Sequence, residues 1–188
     1  MHTRSLVVLA LVVLFTEAQG LWDAKREEKC INYYQTGKNF DLNQLNDHQW
    51  HAVYFWPPIQ RQRETCGLYN FRSMSDDEVD NATENCEDVI DESETAIQAT
   101  YRNSTGKLVN VMYFGDQEVK TMMRSCDKVY KYLFVRINDD YVTGINCSKG
   151  GRGILLAKYL PTYKEVQGVV EGIWFMRGRE GGPDCPLR

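Results

Sequence analysis

The sequence has no excess of positive charge. Its 22 Lys and Arg face 26 Asp and Glu, a formal net charge of -4. A nucleic-acid binder ordinarily presents a basic face, because neutralising phosphates supplies most of its affinity. There is also no apolar run long enough to span a bilayer. Residues 5–15 (SLVVLALVVLF) amount to eleven, against the roughly 20 that a membrane helix needs. Histidine is scarce, with only His48 and His51 beyond residue 20. Three apart near an extended segment, they face opposite ways. No serine or cysteine motif accompanies them, so neither a nucleophile–base pair nor a metal site is supported. No CxxC pair occurs, which excludes a zinc ribbon and a thioredoxin-type redox site. No glycine-rich phosphate loop occurs either: Gly150-Gly151-Arg152-Gly153 is short, opens no helix and reads as a hairpin turn. With 43% hydrophobic and 26% charged residues, collagen, coiled coil and full disorder are excluded too. The reading is therefore a non-enzyme without cofactor or metal.

What is present begins with a leader. Arg4, the apolar stretch and Ala18-Gln19-Gly20 form the three parts of a secretory signal peptide over residues 1–20. A single domain is expected over residues 21–188, since no repeat or linker interrupts it. Cys30, Cys66, Cys86, Cys126, Cys147 and Cys185 are even in number and well separated. In an oxidising extracellular compartment they read as three disulfides, with fifteen connectivities open. Asn81-Ala82-Thr83 and Asn103-Ser104-Thr105 are N-glycosylation acceptors. Asn146-Cys147-Ser148 matches the same pattern but is discounted, because the cysteine is expected to be bonded.

Short period-two segments dominate the rest. Residues 51–56 (HAVYFW), 67–74, 94–101, 107–114, 118–123, 128–137, 141–147 and 153–160 alternate or are β-branched and aromatic, with turn residues between them. Regular spacing of this kind predicts an all-β sandwich or closed barrel. One helix is expected near the C-terminus. Thr162 and Glu165 form a capping box, and Val166, Val169, Val170, Ile173 and Trp174 mark one apolar stripe. Residues 76–94 carry ten acidic side chains and no Lys or Arg. They read as a solvated loop beside a barrel mouth, or as an acidic portal for a cationic amine.

In order along the chain, three stretches are similar to the lipocalin family, in the group of insect bilin-binding proteins and apolipoprotein D. Residues 39–50 (NFDLNQLNDHQW) resemble the family's opening phrase, with Trp50 matching the tryptophan at the barrel base and His48 standing where the family has glycine. Residues 132–147 resemble the segment around the T-D-Y motif, aligned either on Arg136-Ile137-Asn138 or, with a deletion, on Asp139-Asp140-Tyr141. Residues 154–162 resemble the last strand, where Lys158 replaces the arginine that stacks on the tryptophan. The resemblance implies an eight-stranded antiparallel up-and-down barrel with a short C-terminal helix. It also implies the pairs Cys30–Cys147 and Cys66–Cys185, leaving Cys86–Cys126 as an extra bridge.

A barrel of that size holds side chains or one small ligand. The aromatics on alternating positions, Tyr54, Trp56, Tyr69, Phe71, Tyr113, Tyr132 and Phe134, suit a pocket for a mostly hydrophobic lipid or pigment. Which strand face lines it stays open, because a one-residue slip inverts every assignment. Two functions are compatible with the chain: a secreted carrier, or an extracellular interaction, inhibitor or defence protein with a filled interior that acts through its outer loops. Ligand identity and oligomeric state are not encoded legibly.

Overall fold

The computed structural model describes residues 33, 40–46, 48–59, 63–86, 95–103 and 105–188. The expected leader and Cys30 lie outside the described residues. Eight strands pair antiparallel in sequential order and close into a barrel: β1 (Gln49–Trp56), β2 (Gly67–Ser73), β3 (Ala96–Arg102), β4 (Leu108–Phe114), β5 (Lys120–Ser125), β6 (Lys128–Arg136), β7 (Tyr141–Asn146) and β8 (Arg152–Ala157). β8 returns to β1 through pairs such as Ala52 with Leu156 and Phe55 with Ile154, so no strand edge is left open.

The β3–β4 hairpin shows how local chemistry sets the register. The Asn103 side-chain oxygen accepts the backbone N–H of both Thr105 and Lys107 at 3.0 Å, and Gly106 supplies the positive φ of 78° that the turn requires.

Two layers of core follow from the alternation. Inside the barrel, Phe71, Val111, Tyr113, Tyr132, Phe134 and Leu156 form one apolar cluster with Trp50 and the 3-10 turn Leu42–Leu45. Outside, Val53, Leu133, Val135, Ile145 and Leu155 are covered by the C-terminal helix α2 (Tyr163–Gly172) and the tail. This double covering explains why β7 is buried along almost its whole length. Helix α2 starts on the expected capping box: Glu165 N–H donates to the Thr162 hydroxyl, and Thr162 N–H donates to the Glu165 carboxylate. Val166 and Ile173 are buried, but the expected stripe fails at its last residue. Trp174 is 63% exposed, because the chain tightens into a 3-10 turn (Trp174–Met176) and buries Met176 instead.

The acidic run departs further from expectation. Its first part is not a loop but helix α1 (Asp76–Thr83), opened by a capping box between Ser75 and Glu78. Asp76, Asp77 and Glu78 occupy the first turn, where the helix dipole favours negative charge. Arg72 grips Glu78 through two bonds of 2.8 and 2.9 Å and, as the main cause, holds its carboxyl down to about 2. Val79 joins an outer cluster of Cys86, Met112, Phe114 and Met123, so α1 lies against the outer wall. Residues 87–94 lie outside the described residues.

Candidate functional site

The barrel has a closed end and an open one. At the closed end Trp50 is almost fully buried and its indole N–H donates to the Leu45 carbonyl at 3.0 Å. The Lys158 ammonium stands 5.7 Å from the Trp50 ring centroid, within cation–π range, and the exposed His48 ring meets the same indole edge-on at 6.3 Å. The Asn46 amide donates to the Ser73 hydroxyl at 2.6 Å, tying the 3-10 turn to the end of β2. Trp50 and Lys158, paired by the family resemblance, are thus in contact across the base.

Above this packed base a cavity of about 1750 Å³, lined at depth by Phe71, Val111, Phe134 and Leu156, opens between the loops that follow β1, β3, β5 and β7. Its wall is aromatic. Tyr69 stacks on Tyr101 at 4.5 Å, and Tyr113, Tyr132 and Phe134 meet one another at 4.9 to 5.1 Å between ring centroids. Burial pushes the phenols of Tyr69, Tyr113 and Tyr132 above their ordinary value of 10.0, so they remain neutral hydroxyls. Gly144 makes room for this cluster. A Cβ there would collide with the Tyr132 hydroxyl and stand 2.9 Å from its ring.

The structure therefore brings together Tyr69, Phe71, Tyr113, Tyr132 and Phe134 around the cavity. Tyr54 and Trp56 are placed differently. The β1–β8 register shifts between Ala52 and Tyr54, with Val53 as the extra residue of a β-bulge. Trp50 and Ala52 face inward, but beyond the bulge the parity inverts and Phe55 points inward. Tyr54 is absent from the cavity wall. Trp56 touches the cavity, yet its ring belongs to the outer layer, 4.7 Å from the Tyr54 ring and against Gly153 and Gly181. Sequence reasoning missed Phe55 for this reason. It also missed Tyr101, although the alternation of Ile97, Ala99 and Tyr101 in β3 carried the signal.

The tail closes over the bulge. Phe55 and Gly182 exchange two backbone hydrogen bonds of 2.8 and 3.0 Å, and Cys66–Cys185 fastens the β1–β2 loop to the tail. Asp184, fully buried, lies 3.4 Å from the Arg63 guanidinium; burial pushes its carboxyl up, and the Arg63 charge opposes that. Cys86–Cys126 joins the end of the α1 segment to the β5–β6 turn. Cys147 is also disulfide-bonded, and its expected partner Cys30 lies outside the described residues.

Among the described residues the charge at the mouth is mostly positive. There Arg63, Arg102, Arg124, Lys149 and Arg152 line the opening with one acid, Glu64, and no residue of α1 lines the cavity; the acids of the run in residues 87–94 lie outside the described residues. Arg124 and Arg63 are near enough to the Tyr101 hydroxyl to counter part of the rise that burial imposes on it. Asn81 is exposed on α1, where its amide donates to the Asp77 carbonyl, and Asn103 sits in the β3–β4 turn. Among the described residues no three His, Cys, Asp or Glu side chains are grouped to hold a metal, and no helix is long and apolar enough to cross a membrane.

Eight sequential antiparallel strands closed into one barrel, plugged at the base and flanked by a C-terminal helix, make a lipocalin-like fold. Among solved structures the chain is similar to Per a 4, a major allergen from cockroaches, at 8% identity and a TM-score of 0.49 over 78% of this chain and 88% of that one. It is also similar to lobster apocrustacyanin A1, at 9% identity and a TM-score of 0.47 over 79% of this chain and 81% of that one. No protein-family model and no curated protein matches the sequence.

Proposed function

We propose that the protein is a secreted carrier that holds one small, mostly hydrophobic molecule inside the barrel and releases it chemically unchanged. The observation that carries this reading is the aromatic cavity of about 1750 Å³, open at one end. Tyrosine-rich walls offer apolar area with neutral hydroxyls to orient a guest, which suits binding rather than proton transfer. Secretion is supported by the leader over residues 1–20, by the disulfides and by the acceptors at Asn81 and Asn103. A cavity this large does not favour the competing reading of a filled barrel acting through its outer loops.

The direct test is native mass spectrometry of the secreted protein, followed by unfolding and identification of what is released. A stoichiometric adduct lost on denaturation supports the carrier. A clean apo mass, together with no saturable uptake of lipid or pigment probes, overturns it.

A further inference from the structure

The cavity is apolar in its depth and cationic at its rim, and the two zones are continuous. Among the described residues five cations and one carboxylate line the opening. Two of the cations are partly engaged: Arg63 faces Asp184, and Arg102 donates to the Gly106 carbonyl at 3.0 Å. Lys149 lies 4.9 Å over the Tyr130 ring, a contact that leaves its charge unneutralised. Arg124 and Arg152 are exposed and make no ion pair among the described residues. Asp127, on the β5–β6 turn, is occupied by Ser125 and Lys128. No acid of α1 lines the cavity, so among the described residues a molecule with net charge -4 nonetheless presents a positive portal.

Resting on the carrier reading, we propose that the ligand is an amphipathic acid, with its apolar body among Tyr69, Tyr113, Tyr132 and Phe134 and its anionic head at the mouth beside Arg124, Lys149 and Arg152. A carboxylate or a phosphate would be recognised by the same planar, charge-assisted donors. The portal also attracts such an anion before contact, while an amine is repelled.

The test measures displacement of the neutral probe N-phenyl-1-naphthylamine by dodecanoate, dodecyl phosphate, dodecanol and dodecylamine at pH 8. Dodecanoate or dodecyl phosphate should displace it about tenfold more tightly than dodecanol, with dodecylamine weakest, and the comparison of the two acids identifies the preferred head. Arg124→Glu combined with Arg152→Glu should erase that preference, read as the ratio of acid to dodecanol affinity. Arg124→Lys with Arg152→Lys should keep most of it. Saturable probe binding with dodecanol or dodecylamine equal to both acids overturns the proposal and leaves the carrier standing. Failure of the probe and all four chains to bind overturns both.

Discussion

At the residue scale the closed end depends on Trp50. Its side chain is buried among Phe40, Leu42 and Leu45, and its N–H is satisfied by Leu45. Trp50→Ala should cost about 3–5 kcal/mol, read as a lower denaturant midpoint. Lys158→Ala should cost only about 0.5–1 kcal/mol, the worth of an accessible cation–π contact. Gly144 supports a sharper experiment. Gly144→Val should destabilise by roughly 1–3 kcal/mol through overpacking against Tyr132, and much of that loss should be recovered in the Gly144→Val, Tyr132→Ala double variant. A double-mutant cycle showing additive losses would contradict that contact. The same scale shows where the sequence was legible. Tyr69, Phe71, Tyr113, Tyr132 and Phe134 follow clean two-residue alternation and meet around one cavity. Tyr54 and Trp56 lie beyond the Val53 bulge, and a bulge leaves no signature in an unbroken β-branched and aromatic run.

At the element scale the strands and α2 were readable because each carries its own signal: turn residues between alternating runs, and a capping box before an apolar stripe. Thr162→Ala should lower stability by about 1 kcal/mol, a fall in Tm of roughly 2–4 °C in a chain of this size. Helix α1 was not readable. It buries no residue fully and offers Val79 as its contact with the wall, so its hydrophobic period is too weak to stand out from a charge run. What holds it is capping, the Arg72–Glu78 pair and the nearby Cys86–Cys126 bridge. The disulfides belong to this scale too, since spacing alone left fifteen connectivities. Cys66–Cys185 spans 119 residues of sequence. Replacing both cysteines by serine should cost about 5 kcal/mol on the chain-entropy scale, measured by denaturant unfolding.

At the scale of the whole molecule, burial of phenols sets the response to alkali. Tyr69, Tyr113 and Tyr132 all have folded pKa values raised above 10.0 by desolvation. Below pH 10 both folded and unfolded chains keep these protons, so the shift has no effect there. Above it the unfolded chain releases them while the folded chain holds them, and stability falls as pH rises. Unfolding by base should therefore coincide with the appearance of tyrosinate absorbance. Tyrosinate forming in full before the fold is lost would show that these rings are not buried.

On the carrier reading the interior is a binding space rather than a packed core. Filling that space should suppress binding without unfolding the barrel. Met122 lines the cavity from β5 and is only partly buried, so Met122→Trp projects an indole into the space with little strain on the wall. N-phenyl-1-naphthylamine should bind the wild-type protein saturably at one per chain, and at least about tenfold more weakly to a Met122→Trp variant of unchanged circular dichroism and Tm. Equal binding to the two folded proteins, or none to either, would contradict a ligand-holding barrel.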